Sequence, residues 1–210
     1  HQTYLRQNPP RLTRLERVKR FTLHGARSIA ISSAVARDLA IPASVIPNSY
    51  RDDLFRLTNT GPRDWDLVFL GRLVPEKGVS LLLAALHRLQ SRGLYPRLRV
   101  IGGGPEEASL RRDAVELGIA RQLEFAGTQR VETLIGMLNE CRIMVVPTLW
   151  AEPFGIVALE GIACGCVVVG SSEGGLPEAI GPCGLTFPNG HAEALADSLA
   201  ELLCDPARIT

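Results

Sequence analysis

An α/β fold, a parallel sheet with helices on both faces, follows from three features of the sequence. From Asp64 onward, short apolar runs alternate six times with segments of helical period. The runs are nearly continuous in apolar residues, as strands covered on both faces are, and do not alternate apolar with polar. One of them, CRIMVVP, leads into EPFGIVALE at 152–160, where two carboxylates eight positions apart bracket Pro153 and Gly155. That is a strand, a turn and a helix start. Together these features predict a Rossmann-like lobe whose ligands lie at the carboxyl ends of its strands.

Taken in order, residues 11–23, RLTRLERVKRFTL, place Leu12, Leu15 and Val18 near helical spacing and predict a basic amphipathic helix. Such a helix is either a solvated surface face or, through the basic 11–27 segment, a peripheral contact with anionic lipid or an acidic acceptor. SIAIS at 28–32 reads as a short buried strand, Ser32 or Ser33 as the cap of a helix SAVARDLA, and Ile41-Pro42 as its stop. After the polar stretch TNTGPRD at 58–64 the repeats begin. Strand DLVFLG precedes a helix from Gly78 through Leu89, RLRVIG a helix from Glu106 through Leu117, and QLEFAG the helix VETLIGML. Strand RIMVVP precedes GIVALEGIAC, CVVVG a short helix from Pro177, and a brief GLTF strand the helix HAEALADSLAELL.

The composition, 46% apolar over 210 residues, suffices for a sizeable core. No apolar run reaches the ~18 residues that a membrane span needs, and no charged-then-apolar leader opens the chain. A soluble, cytoplasmic protein is expected. The net charge is +1, but residues 1–27 carry +6 and the remainder −5, so the basic excess is local and nucleic acid is not an expected partner. Five cysteines without a C-x2-C pair read as reduced, buried thiols, and the four histidines are scattered, so no residue is expected to hold a metal. Asp64-Trp65-Asp66 has the form of a metal-binding D-x-D, but it precedes a strand, at the end opposite the expected crevice, and reads as a strand start with Trp65 packed.

Several residues carry candidate chemistry. Glu152 stands on a loop over a strand end and Glu160 about one and a half turns into the following helix, facing the same crevice. The N–H groups of Phe154, Gly155 and Ile156 point there too and favour a negatively charged ligand. Gly71-Arg72 ends the first strand of the lobe and Lys77-Gly78 opens the next helix, so a guanidinium and an ammonium flank one loop where a diphosphate fits without any metal. Gly102 to Gly104 invite a dinucleotide reading, but Glu107 stands where G-x-G-x-x-G needs glycine or alanine, and a tight turn near a nucleoside fits better. Thr128 and Gln129 end the third strand of the lobe, where exposed backbone groups reach a base edge and Leu134 covers its face. Glu178 reads as a helix-dipole partner in the first turn of its own short helix.

E-x7-E with its EPFG lead-in, preceded by GRLVPEKG (71–78), VIGGGPEEASL (100–110) and FAGTQRVETL (125–134) and followed by SSEGGLPEAI (171–180), resembles the signature of the retaining GT-B glycosyltransferases of the group 1 type, relatives of glycogen synthase and phosphatidylinositol mannosyltransferase. The resemblance covers nearly the whole chain. It implies that residues 1–41 are the tail of an N-terminal acceptor lobe and 42–210 a donor-binding lobe without its final crossover helix. It further implies hexosyl transfer from a UDP-, GDP- or ADP-sugar to an acceptor hydroxyl with retention, no cofactor and no metal. Gly71, Arg72 and Lys77 would hold the diphosphate, Thr128, Gln129 and Leu134 the base, Glu160 the ribose, and Glu152 with the Phe154, Gly155 and Ile156 amides the sugar, with Glu152, Arg72 and Lys77 catalytic. The acceptor, whether glycan, lipid or small molecule, is not specified, and the 210 residues alone are expected to be inactive. The alternatives are a nucleotide-sugar epimerase or hydrolase on the same fold and a non-catalytic nucleotide-sugar-binding lobe.

Overall fold

The computed structural model of the chain describes residues 27–39, 42–59, 61–205 and 207. The predicted basic helix lies outside them, as does the rest of the basic 11–27 segment apart from Arg27, and so does Ile41 of the predicted helix stop. The first described elements are β1 (Ser28–Ala30), α1 (Ser33–Leu39) and β2 (Ala43–Val45). β1 and β2 pair in parallel, Ser28 beside Ala43 and Ala30 beside Val45, in a two-stranded sheet of their own. A line drawn between residues 41 and 42 therefore passes inside one β–α–β unit. The expectation of a buried first strand needs correction. Ala30 is buried, but Ile29 is 65% exposed, because among the described residues nothing covers its face of this narrow sheet.

The main sheet holds β3 (Trp65–Leu70), β4 (Leu98–Ile101), β5 (Leu123–Gly127), β6 (Cys141–Val146), β7 (Val167–Ser171) and β8 (Gly184–Phe187). Its order is β5-β4-β3-β6-β7-β8, and every pairing is parallel. The crossovers are α2 (Val79–Ser91), α3 (Glu107–Glu116), α4 (Val131–Asn139), α5 (Ile156–Ala163) and α6 (Leu176–Ile180), and α7 (Ala192–Cys204) follows the last strand. Side-chain alternation along each strand divides the core in two. Leu67, Phe69, Ile143 and Val145 pack under α2, α3 and α7, whereas Val68, Met144 and Val168 pack against α4, α5 and α6. α2 shows why the period was legible: Val79, Leu82, Leu83, Leu86 and Leu89 form one buried stripe. Among the described residues no helix is long and apolar enough to cross a membrane.

Two polar clusters sit at the sheet's amino-terminal edge. Arg99, buried within β4, reaches Glu124 at 2.8 Å and Glu140 at 2.6 Å and stacks its guanidinium 4.4 Å from the Trp65 ring, with Arg97 on the same ring at 4.1 Å. Asp66 accepts the Arg97 N–H at 2.9 Å and an Arg142 guanidinium at 3.3 Å. Trp65 and Asp66 thus belong to strand packing at the end opposite the carboxyl edge, and Asp64 is exposed, its carbonyl accepting from the Arg97 guanidinium at 3.3 Å. The thiols need a second correction: Cys141, Cys164 and Cys166 are buried, but Cys183 and Cys204 are exposed, Cys204 lying at the end of α7. Burial pushes the Cys141 thiol up to about 12 and the Cys164 thiol up to about 11.

The glycine run after β4 has a packing cause. The loops after β3 and β4 run side by side, with the Leu73 N–H on the Gly103 carbonyl at 3.0 Å and the Glu106 N–H on the Leu73 carbonyl at 3.1 Å. A Cβ at Gly102 would run into the carbonyl oxygen of Gly71, one at Gly104 into that of Leu73, and Gly102 has φ +132°. Gly102→Ala is therefore expected to lower the urea unfolding midpoint with an unchanged m-value, a loss of about 2–4 kcal/mol from backbone strain and overpacking. An unshifted midpoint would mean that the two loops separate at little cost.

Candidate functional site

Strand order reverses beside β3: the chain runs outward through β4 and β5, then returns to place β6 on the other side of β3. The loops leaving β3 and β6 therefore diverge and leave a crevice at the carboxyl edge. They are nonetheless tied together at their bases. The Leu149 N–H and the Thr148 hydroxyl both donate to the Glu76 carbonyl, at 2.9 and 3.2 Å, and Gly78, at φ +70°, lies against the Pro147 carbonyl.

On the β4–β5 side of the crevice lies a cavity of about 290 Å³. Its walls come from the end of β3 (Leu70, Gly71, Arg72), the end of β4 (Ile101, Gly102, Gly103), the turn after β5 (Thr128, Gln129) and Leu134 on α4. Gln129 is oriented by its own Nε2, which donates to the Ala126 carbonyl at 2.5 Å and leaves Oε1 unengaged among the described residues. Arg72 is exposed and its guanidinium has no partner among the described residues. The cavity thus joins an apolar, glycine-floored slot to one open cation.

A second group forms on the β6 side. A 3-10 turn, Pro75–Lys77, aims Lys77 across the crevice, where its Nζ lies 2.8 Å from Glu152 Oε2 and 5.4 Å from the centroid of the Trp150 ring. Lys77 is 32% and Glu152 14% exposed, so the pair is partly screened from water. Gly155 caps α5 at φ +92°, with Leu176 where a Cβ would go. The N–H groups of Phe154, Gly155 and Ile156 donate to no acceptor among the described residues. The Phe154 ring is buried in the core, so only its backbone faces the crevice, whereas the Ile156 side chain is 39% exposed. Glu160, one turn along α5, has no side-chain partner among the described residues, and burial raises its carboxyl above the ordinary Glu range.

Most of the predicted residues fall into two groups at the carboxyl edge of the sheet, and Glu160 lies further along α5. Gly71, Arg72, Thr128, Gln129 and Leu134 line the cavity, and the Lys77–Glu152 pair and the amino terminus of α5 belong to the loops on its β6 side. Lys77, which with Arg72 flanks one loop, is paired with Glu152 on the far side of the crevice. Glu178 does occupy the first turn of α6, but its carboxylate caps a different helix, accepting the Ser33 N–H at 2.9 Å and the Ala34 N–H at 3.2 Å of α1. Sequence reading missed Asn189, whose side-chain amide donates to the Trp150 carbonyl at 3.1 Å and accepts the Glu173 N–H at 3.1 Å, joining the loops after β6 and β7. A lone Asn in a Pro-Asn-Gly turn carries no sign of that role.

The unpartnered Glu160 carboxyl predicts a pH signature. Because its pKa is raised in the folded protein, the unfolded chain releases the proton first. Stability therefore falls as pH rises from the ordinary Glu value towards the raised one, and the cost is absent below that window. Glu160→Gln is expected to raise Tm at pH 7, with the gain vanishing below about pH 4, the unperturbed Glu range. Thermal unfolding of both proteins across pH checks this, and a pH-independent difference would assign the gain to packing.

Residues 51–209 match the profile of the family described as Glycosyl transferases group 1. The D-inositol 3-phosphate glycosyltransferase of Mycobacteroides abscessus is 39% identical over 146 residues, which cover 65% of this chain and 31% of that protein. The GDP-mannose-dependent alpha-(1-6)-phosphatidylinositol monomannoside mannosyltransferase of Mycolicibacterium smegmatis is 35% identical over 150 residues, 68% of this chain and 39% of that one. The chain spans between 31% and 39% of the length of these two relatives. Among solved structures, Anabaena HepE in complex with UDP superposes with a TM-score of 0.80 at 21% identity, over 92% of this chain and 59% of that one. Sucrose-phosphate synthase from Thermosynechococcus elongatus gives 0.77 at 28% identity, over 92% and 53%. Its α/β fold is that of the GT-B glycosyltransferases, and with the family profile matched from residue 51 to residue 209 the chain belongs to the group 1 glycosyltransferases.

Proposed function

We propose that this chain binds the donor of a hexosyl transfer, a nucleoside-diphosphate-sugar, and that the complete protein moves the sugar to an acceptor hydroxyl with retention of anomeric configuration. The observation that carries the reading is the pairing, on one crevice, of an apolar cavity with the open Arg72 cation and an α5 amino terminus whose amides donate to no acceptor among the described residues. A nucleoside fits the cavity, its base edge meeting Gln129 and the backbone at Thr128, its face meeting Leu134. Glu160 accepts from the ribose hydroxyls. The diphosphate then lies towards Arg72 and the α5 amides, which favour negative charge. That the mannosyltransferase relative is GDP-mannose-dependent and HepE is a complex with UDP supports a nucleoside diphosphate and leaves the base open.

Chemistry in this site is charge neutralisation. As the bond from the anomeric carbon to the diphosphate oxygen breaks, negative charge grows on the leaving oxygen and positive charge on the sugar ring. Arg72 and Lys77 supply two cations to the first without a metal, and Glu152 one anion to the second. Lys77 must exchange Glu152 for phosphate, which frees the Glu152 carboxylate for the sugar. The acceptor enters on the face that the leaving group vacates, and this requires groups beyond the 210 residues, so the chain alone is proposed to bind donor without transferring sugar.

Three measurements test this. Calorimetry with UDP and GDP on Arg72→Ala should show a loss of about 1.5–3 kcal/mol, the scale of a charge-assisted hydrogen bond. Lys77→Ala should lose less, because wild-type Lys77 must first leave Glu152. Undiminished affinity in both variants, or binding abolished by a chelator, would overturn the metal-free phosphate site. The carboxylates should separate: Glu160→Gln weakens free diphosphate by roughly 1–3 kcal/mol. Glu152→Gln leaves it unchanged or tighter and lowers kcat of the complete protein. Equal losses of diphosphate affinity in the two would refute this division of the ligand.

A further inference from the structure

The loop that carries Glu152 and the open amides is gripped from outside the crevice. Ser32, fully buried at the junction of β1 and α1, uses its hydroxyl twice: Oγ accepts the Val35 N–H at 3.1 Å and donates to the Pro153 carbonyl at 2.7 Å. Glu178 on α6 takes the two neighbouring amides of the same helix end, Ser33 and Ala34. Pro153 stands directly between Glu152 and the three open N–H groups. From the other side, the Gly175 N–H donates to the Glu152 carbonyl at 2.7 Å, and residues 152 and 174 form an isolated parallel bridge. The junction has no slack, since a Cβ at Gly175 would meet both the Pro153 carbonyl and the Ser32 hydroxyl.

None of these bonds is needed to close the six-stranded sheet. The β1–α1–β2 unit pairs only with itself, yet its helix end bonds the backbone of the loop that follows β6 and is held by a carboxylate from the element that follows β7. A carboxylate on a helix amino terminus is favourable by itself, and here it also fixes where that terminus sits. The orientation of the 152–156 segment is thus set by side chains with no group in the cavity.

We propose that Ser32 and Glu178 are positioning residues for the reaction proposed above. They clamp the 152–156 loop between the β1–α1–β2 unit and α6, so that the Glu152 carboxylate and the α5 amides face the donor in one arrangement. The proposal rests on the reading of this crevice as the donor site. It separates binding from turnover. The nucleoside cavity and Arg72 lie outside the clamp, whereas the α5 amides and the reacting centre depend on a loop whose displacement by about 1 Å can cost ~100-fold in rate.

The test uses Ser32→Ala, Glu178→Ala and Glu178→Gln in the complete protein. Amide hydrogen exchange over residues 152–156, calorimetry with UDP and GDP, and kcat and KM with a nucleotide-sugar that the wild type turns over are measured together. For Ser32→Ala and Glu178→Ala the expected result is faster exchange confined to 152–156 and its partners, Kd for UDP and GDP raised no more than about fivefold because the cavity and Arg72 are untouched, and kcat lowered roughly 10- to 100-fold with KM changed no more than Kd. Glu178→Gln, which keeps an acceptor oxygen for the α1 amides, should recover most of the kcat lost in Glu178→Ala. Wild-type exchange over 152–156 in both alanine variants, or a kcat that falls only with the folded fraction, overturns the clamp. Should Ser32→Ala fail to fold, the Glu178 pair decides alone, since that side chain is exposed. A wild-type protein that turns over no nucleotide-sugar would remove the donor reading and leave hydrogen exchange to decide the clamp.

Discussion

The site depends on a reversal in a parallel sheet. Each parallel strand needs a crossover that returns over one face, and the crossovers cover both faces here, so among the described residues the loops at the carboxyl ends of the strands are left to form a crevice. At that edge the connections from β3 and β6 leave in opposite directions, and the crevice lies between them. Every candidate group comes from a segment that follows a strand: Gly71 and Arg72 after β3, Gly102 and Gly103 after β4, Thr128 and Gln129 after β5, Glu152 and the α5 amides after β6. Their order around the crevice follows sheet order and not chain order.

Charge at the crevice is unevenly compensated. Lys77 and Glu152 neutralise each other across it, and removing either would leave the other partly buried and unpaired. Glu160 has no such partner, and its raised pKa records the cost of desolvation. Arg72 avoids that cost by standing in solvent. Of these four side chains, Arg72 alone offers a cation with no partner among the described residues, whereas Lys77 is paired with Glu152.

Backbone packing sets the tolerances. Gly78 against Pro147, Gly102 against Gly71, Gly104 against Leu73 and Gly175 against Pro153 bring neighbouring loops into contact without intervening side chains. With the loops this close, the polar side chains that matter are those that bond backbone: Ser32, Glu178, Asn189 and Thr148. At the opposite edge Arg99 holds Glu124, Glu140 and Trp65 together and lets a buried strand carry a charge. The amino-terminal edge of the sheet is thus closed by ion pairs, while the carboxyl edge is left open.

By itself the sequence determined the elements and the candidate residues, because both are local properties. A stripe such as Val79, Leu82, Leu83, Leu86 has a helical period whatever surrounds it, apolar runs such as RIMVVP require cover on both faces, and E-x7-E on a strand, turn and helix start puts one acid on the loop and the other on the helix that follows. Periodicity says nothing about partners remote in the chain. Tertiary structure alone decided that β2 pairs with β1, that Ile29 is exposed, and that Lys77 is held by Glu152, 75 residues away. It also decided that Glu178 caps α1 and that Ser32 holds Pro153 across 121 residues. Each of these depends on which chain segments the sheet order brings together at its edge, and that order is set by the packing of the whole lobe, not by the residues on either side of the contact.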